Sequence, residues 1–239
     1  MPSPRMQITG ERTVPGIPHE NYWFRRHEVV YEYVLRLLPV ESQVLEAGCG
    51  EGYGAELLRS HRHRSTALDY DAYATRHVRA AYPDIPVVRG NLVSLPFRAQ
   101  AFDAVVSLQT VEHLWDQPAF ISECRRVVRP GGPVILSTPN RLTFPPGNLF
   151  HTTELDPAGL RDLLARTGER PQLLGVHHGT RIADWEAAHG SIVDAQIGSD
   201  PREWPVRLAE FVASLRTADF MLQDDQLESS LDLVAITAG

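Results

Sequence analysis

The chemistry in this sequence is concentrated in Glu46-Ala47-Gly48-Cys49-Gly50-Glu51-Gly52-Tyr53-Gly54. Closely spaced glycines let a backbone turn sharply and come close to a ligand with no Cβ in the way. The turn follows the apolar run Val44-Leu45-Glu46-Ala47 and precedes a helical stretch, so it falls at the carboxyl end of a first strand. That is the usual ligand crevice of an open α/β sheet. Gly50-Glu51-Gly52-Tyr53-Gly54-Ala55 also fits the dinucleotide pattern G-x-G-x-x-A. A pyrophosphate is an anion, however, and this turn has Glu46 just before it and Glu51 inside it. S-adenosylmethionine (SAM) has no phosphate and carries an ammonium and a sulfonium, both suited to nearby carboxylates. The charges therefore favour SAM over NAD.

Asp69 ends the second apolar run, 17 residues past Gly52. An acid there accepts from ribose hydroxyls, a feature that SAM and NAD share. Asp71 falls where a helix cap is expected. After the third run comes Gly90-Asn91-Leu92, where an adenine is usually read. Asn91 can accept through its carbonyl, or it simply forms a turn. The expected cofactor residues are Glu46, Gly48, Cys49, Gly50, Gly52, Asp69, Tyr70, Asn91, Leu92 and Gln109.

The elements that position these residues alternate. Apolar runs at 44–47, 65–69, 87–89, 102–108, 133–138, 173–176 and 231–237 predict seven strands. Helical spacing predicts helices at 22–38, with Asn21 as N-cap and Pro39 as terminator, and at 53–60, 72–81, 118–128 and 154–167. Such alternation needs crossovers and hence a mostly parallel sheet covered on both faces. The expected fold is α/β, a Rossmann-like doubly wound sheet in one domain over 1–239. Residues 1–39 form an arm and a lid helix, 40–176 the cofactor-binding core, and 177–239 an insertion and the last strand. The formal net charge is −7, from 23 basic and 30 acidic side chains. That balance argues against a nucleic-acid substrate. The N-terminus lacks a signal-peptide core, no apolar run approaches the ~18 residues of a membrane span, and two cysteines make no disulfide framework. A cytoplasmic protein is expected.

As a set, the glycine turn, Asp69, Leu95-Pro96-Phe97, Phe102-Asp103, Val111-Glu112-His113-Leu114 and Arg129-Pro130-Gly131-Gly132 resemble class I SAM-dependent methyltransferases over roughly residues 40–140. The resemblance implies that the last strand is inserted antiparallel. The flanks add to it: Thr9-Gly10-Glu11-Arg12-Thr13-Val14-Pro15, Glu20-Asn21-Tyr22-Trp23-Phe24-Arg25-Arg26-His27, Ser137-Thr138-Pro139-Asn140-Arg141 and Phe150-His151-Thr152. With Ile192-Val193-Asp194-Ala195-Gln196-Ile197 and 230–236, these resemble actinobacterial glycan-associated methyltransferases of the kind linked to methylglucose lipopolysaccharide synthesis. What this implies is O-methylation of a sugar hydroxyl on a glycan, as part of polysaccharide biosynthesis. A small-molecule O-, N- or C-methyltransferase of secondary metabolism is the alternative. An NAD dehydrogenase and a non-catalytic SAM-fold binding protein are the readings outside that activity.

Methyl transfer from a sulfonium is an in-line displacement that gains most from alignment. A sugar hydroxyl is a poor nucleophile, so a general base should help. His113, after the fourth strand, and His151, after the fifth, are equal candidates, with Glu112 behind them. His177 and His178 are expected to line a sugar site or a solvated turn. Tyr22 and Arg26 are expected at the cofactor, on a helix acting as a lid that excludes water. Trp185 and Trp204 are expected in the acceptor pocket or in a homodimer contact. No ligand spacing points to a metal, so metal-independent activity is expected.

Overall fold

The computed structural model describes residues 13–168 and 170–238. Residues 1–12, with most of the expected arm and the Thr9-Gly10-Glu11-Arg12 segment, lie outside the described residues.

The chain builds one sheet from β1 (Gln43–Ala47), β2 (Arg64–Asp69), β3 (Val87–Arg89), β4 (Ala104–Leu108), β5 (Pro133–Pro139), β6 (Gln172–His178), β7 (Phe220–Gln223) and β8 (Asp232–Ala238). Its order is β3-β2-β1-β4-β5-β8-β6-β7. Strands β1 to β5 pair in parallel, whereas β8 is antiparallel to both β5 and β6, and β7 is antiparallel to β6. The sheet thus has eight strands where the sequence predicted seven. The additional strand, β7, is an edge strand between the expected insertion at 177–215 and the last strand. The fourth strand starts at Ala104 rather than 102, because Phe102 makes only an isolated bridge to Val128.

The helices are α1 (Asn21–Leu37), α2 (Tyr53–Ser60), α3 (Ala72–Ala81), α4 (Gln117–Val127), α5 (Pro157–Ala165), α6 (Thr180–His189), α7 (Ile192–Ile197) and α8 (Val206–Ser214). Asp71, Asp116 and Asp156 cap α3, α4 and α5 by accepting from Tyr73, Ala119 and Gly159. The cap at Asp156 shortens the helix predicted at 154–167, since a cap residue lies outside helical φ/ψ. Asn21 is not a cap. It sits inside α1, and its amide donates to the carbonyls of Val212 and Leu215, tying α1 to α8.

Successive side chains of a strand face opposite ways, and the core divides accordingly. Val44, Val106, Ile135 and Val234 face Tyr22, Val30 and Val34 of α1, Leu58 of α2 and Val212 of α8. Leu45, Val105, Val134 and Ala235 face Phe120 and Ile121 of α4 and Leu160 and Leu164 of α5. Most of the expected insertion is therefore part of the sheet's cover. It contributes Ile182, Ile192, Val193, Trp204 and Leu208 to the same apolar cluster as α1. Among the described residues no helix is long and apolar enough to cross a membrane.

Candidate active site

A cavity of about 750 Å³ lies at the carboxyl ends of β1, β2 and β4, lined by Gly48, Cys49, Gly50, Glu51, Asp69, Tyr70, Asn91, Leu92 and Gln109 among others. Gly48 has φ +84, and a Cβ there would stand 2.4 Å from Thr110 Oγ1. The turn is stitched to β2: Gly48 and Cys49 donate to the carbonyl of Leu68. Asp69 receives the Gly50 amide on Oδ2 and the Asp71 amide on Oδ1, each at 2.8 Å. A carboxylate has about four lone-pair directions, so two remain after these bonds. Gln109 closes the floor of the cavity with φ +50, a conformation rare outside glycine. Its amide donates to Ser137 O at 2.9 Å, and its side chain to Ser137 Oγ at 3.1 Å.

Several expected cofactor residues are placed differently. Glu46 is buried and does not line the cavity; its Oε1 accepts from Tyr31 Oη, against Gly54. Burial pushes its carboxyl up to about 7, against the opposing pull of the Tyr31 hydrogen bond. Glu51 does reach the lining, paired with His77 Nε2 at 3.1 Å. Gly52, at φ +79, faces α3, where a Cβ would meet Val78 at 2.6 Å, so it serves helix packing. Asn91, by contrast, stays in the lining, with its Oδ1 accepting from the Val93 amide in the turn-forming geometry. Tyr22 and Arg26 turn away from this cavity. Tyr22 is fully buried and hydrogen-bonded to His178 Nε2 at 2.8 Å, because its ring completes the core under β6 and β7. Arg26 is held by Asp232 at 2.5 Å and by the Leu231 carbonyl at 2.7 Å. With both packed inward, α1 meets the site through Trp23 and His27 instead of through Tyr22 and the Arg26 guanidinium at the cofactor cavity.

A second cavity, of about 420 Å³, adjoins the first. Its walls combine Trp23, Phe144, Pro145 and Pro146 with Glu20, Arg26, Asn148 and Gln196. Thr13, His27, Gln109 and His113 line both cavities and so mark their junction. His27 donates to or accepts from Tyr53 Oη at 3.1 Å, and burial pulls its imidazole down to about 4, so it is neutral at physiological pH. The loop beneath is anchored by buried Asn140, whose amide donates to the carbonyls of Leu227 and Ser230. Neither His177, His178, Trp185 nor Trp204 lines either cavity. His178 bonds Tyr22 and pairs with Glu186 at 3.0 Å, Trp185 stacks on Phe211, and Trp204 is core. From that segment the second cavity takes Gln196 and Ile197 of α7.

Glu112, His113 and His151 converge although 39 residues separate the first and last. The cause is local: the Thr152 amide and hydroxyl both donate to the Glu112 carbonyl, at 2.8 and 3.0 Å. His113 Nδ1 lies 3.0 Å from the Phe150 carbonyl. A carbonyl can only accept, so Nδ1 carries the hydrogen and the neutral ring keeps its lone pair on Nε2. His151 follows the same logic, with Nδ1 at 2.7 Å from Glu154 Oε1. Its Nε2 accepts from Asn148 Nδ2 at 3.0 Å, and that amide is oriented by the Phe150 N–H on Asn148 Oδ1. Glu112 is buried and its Oε2 accepts from Thr138 Oγ1 at 3.0 Å. Both histidines and Glu112 line the second cavity; His113 also reaches the first.

Sequence reading overlooked the linings contributed by Thr13, Tyr31, Thr110, Trp115 and Phe144. His27 was legible only as one of a row of aromatic and basic residues on α1. The positive φ of Gln109 leaves no mark in the sequence.

The first cavity suits a cationic ligand with hydroxyls to donate: a glycine cradle that a Cβ would fill, the Asp69 carboxylate in its wall, and no Lys or Arg among its described lining residues. The comparisons agree. A family model described as "Methyltransferase domain" matches residues 45–136. A probable S-adenosylmethionine-dependent methyltransferase of Mycolicibacterium smegmatis is 49% identical over 97% of this chain and 94% of its own length. One from Mycobacterium tuberculosis is 47% identical over 97% of this chain and 89% of its own. Among solved structures, a SAM-dependent methyltransferase from Archaeoglobus fulgidus superposes with a TM-score of 0.58 over 91% of this chain and 99% of that one, at 18% identity. The chain belongs to the SAM-dependent methyltransferases. It is an enzyme whose cofactor is SAM and which acts on a methyl acceptor.

Proposed function

We propose that the enzyme methylates a hydroxyl of a sugar or glycan. The observation that carries this is the pair of adjoining cavities, which meet at Thr13, His27, Gln109 and His113. The first is the size and chemistry of a donor site. The second has apolar faces in Trp23, Phe144, Pro145 and Pro146, suited to the C–H faces of a sugar ring, and hydrogen-bonding groups in Asn148 and Gln196 for its hydroxyls. Its guanidinium, on Arg26, is already bound to Asp232, which favours a neutral acceptor over a phosphorylated one.

Bound SAM supplies a methyl on a good leaving group. The chain's residues do the rest. Gly48, Gly50 and Asp69 hold the nucleoside end, and the junction residues align the acceptor with it. The acceptor proton leaves at the Glu112–His113–His151 cluster, with His113 first in place because it borders both cavities. Incubation with labelled SAM and a panel of gluco-oligosaccharides, followed by mass analysis, tests this. A methylated oligosaccharide is expected; transfer to none of them moves the acceptor to a small molecule.

A further inference from the structure

One nitrogen each from His113 and His151 and one carboxylate oxygen from Glu112 lie within 4.8 Å of one another, at the wall of the second cavity. We propose that these three side chains bind a divalent transition-metal ion facing the acceptor. The inference rests on the hydroxyl-acceptor reading for its role and on geometry for its existence. What singles the cluster out is the outer ring of hydrogen bonds. Metal-bound histidines almost always donate the other ring N–H to a carboxylate or carbonyl, and bound carboxylates are themselves hydrogen-bonded. Here His151 Nδ1 donates to Glu154, His113 Nδ1 to the Phe150 carbonyl, and Glu112 Oε2 accepts from Thr138. Both imidazoles therefore coordinate through Nε2, and Glu112 through Oε1, which stands 3.9 Å from His113 Nε2.

Metal–ligand bonds of ~2.1 Å place neighbouring ligand atoms about 3–3.5 Å apart. At its widest the cluster must therefore close by about 1.3–1.8 Å, the Asn148 amide must leave His151 Nε2, and Glu112 and His113 must exchange present contacts for the ion. Two imidazoles and a carboxylate suit Mn²⁺, Fe²⁺, Co²⁺ or Zn²⁺ rather than Mg²⁺ or Ca²⁺, which prefer all-oxygen sites. Three protein ligands leave positions open for the acceptor oxygen. There the ion would lower the hydroxyl's pKa as metals do for bound water. The O–H bond breaks with its proton passing to solvent, the oxygen pair forms the O–CH3 bond, and the C–S pair returns to sulfur. His113 is then a ligand instead of the proton acceptor.

The test strips the full-length protein with EDTA and titrates it with Co²⁺, following visible absorption and calorimetry, with SAM affinity measured alongside as a control for folding. One equivalent of Co²⁺ should bind to the wild type, at least tenfold more weakly to His151→Ala and Glu112→Gln, with SAM affinity unchanged in both. Stripping should lower methyl transfer at least tenfold, and Mn²⁺, Co²⁺ or Zn²⁺ should restore it. No Co²⁺ binding, binding indifferent to both substitutions, or full activity after stripping would each overturn the proposal. The Co²⁺ titration needs no acceptor, so failure of the ion site is read apart from failure of the sugar reading.

Discussion

His113 and Gly48 carry the proposed assignment of the two cavities at the scale of single residues. His113 borders both cavities, with Nδ1–H fixed on the Phe150 carbonyl. Substituting His113→Ala should lower kcat by about 10²–10⁴-fold, the usual worth of a group that draws off the acceptor proton, directly or by holding an ion that does. SAM affinity by calorimetry should change far less; a parallel fall in both would place the residue in donor binding instead. Gly48 acts through what it lacks. A methyl at that position would collide with Thr110 Oγ1 while the backbone stays at φ +84. Gly48→Ala should therefore abolish measurable SAM binding while circular dichroism retains the native secondary structure.

The elements around the site are joined by buried polar contacts, and two of these set measurable stability. Arg26 of α1 and Asp232 of β8 are both almost fully buried and bonded at 2.5 Å. Removing one partner of a buried pair leaves an uncompensated charge and costs about 3–5 kcal/mol. Arg26→Met should lose stability on that scale in urea denaturation, and adding Asp232→Leu should recover most of it. Glu46 joins β1 to α1 through Tyr31. Its folded-state pKa, about 7, lies above the ordinary 4.5. The group therefore stabilises fully below about 4.5, and that contribution is lost as pH rises through about 7. Relative to Glu46→Gln, the wild type should lose on the order of 3 kcal/mol between those limits. Parallel curves for the two proteins would disprove it. The same elements show which signals a sequence holds. Helices α2 and α3 were readable to their terminal residues, because glycine turns and the Asp71 cap are local chemistry. Strand β7 escaped notice because Phe220-Met221-Leu222-Gln223 is a short, half-exposed edge without alternation. Spacing showed that Tyr22 and Arg26 belong to an apolar-faced helix. It could not show what that face meets, which here is the sheet and not the cofactor. The meeting of Glu112 with His151 depends on two hydrogen bonds from Thr152, and no periodicity encodes those.

At the scale of the whole molecule, the net charge of −7 sets a long-range field against anionic acceptors. Anionic acceptors are repelled over a distance of about a Debye length. A phosphorylated oligosaccharide should accordingly show a higher KM than its neutral parent, and added salt should narrow the gap. Equal KM values at low salt would show that the field does not reach the acceptor. The division into two cavities has a kinetic corollary. On the proposed assignment donor and acceptor occupy separate rooms that share one wall, so the spent donor, S-adenosylhomocysteine, would need only its own room to linger. It should compete with SAM for the free enzyme yet leave the acceptor's place open. Double-reciprocal plots should then intersect on the rate axis when SAM is varied, and to the left of it when the acceptor is varied.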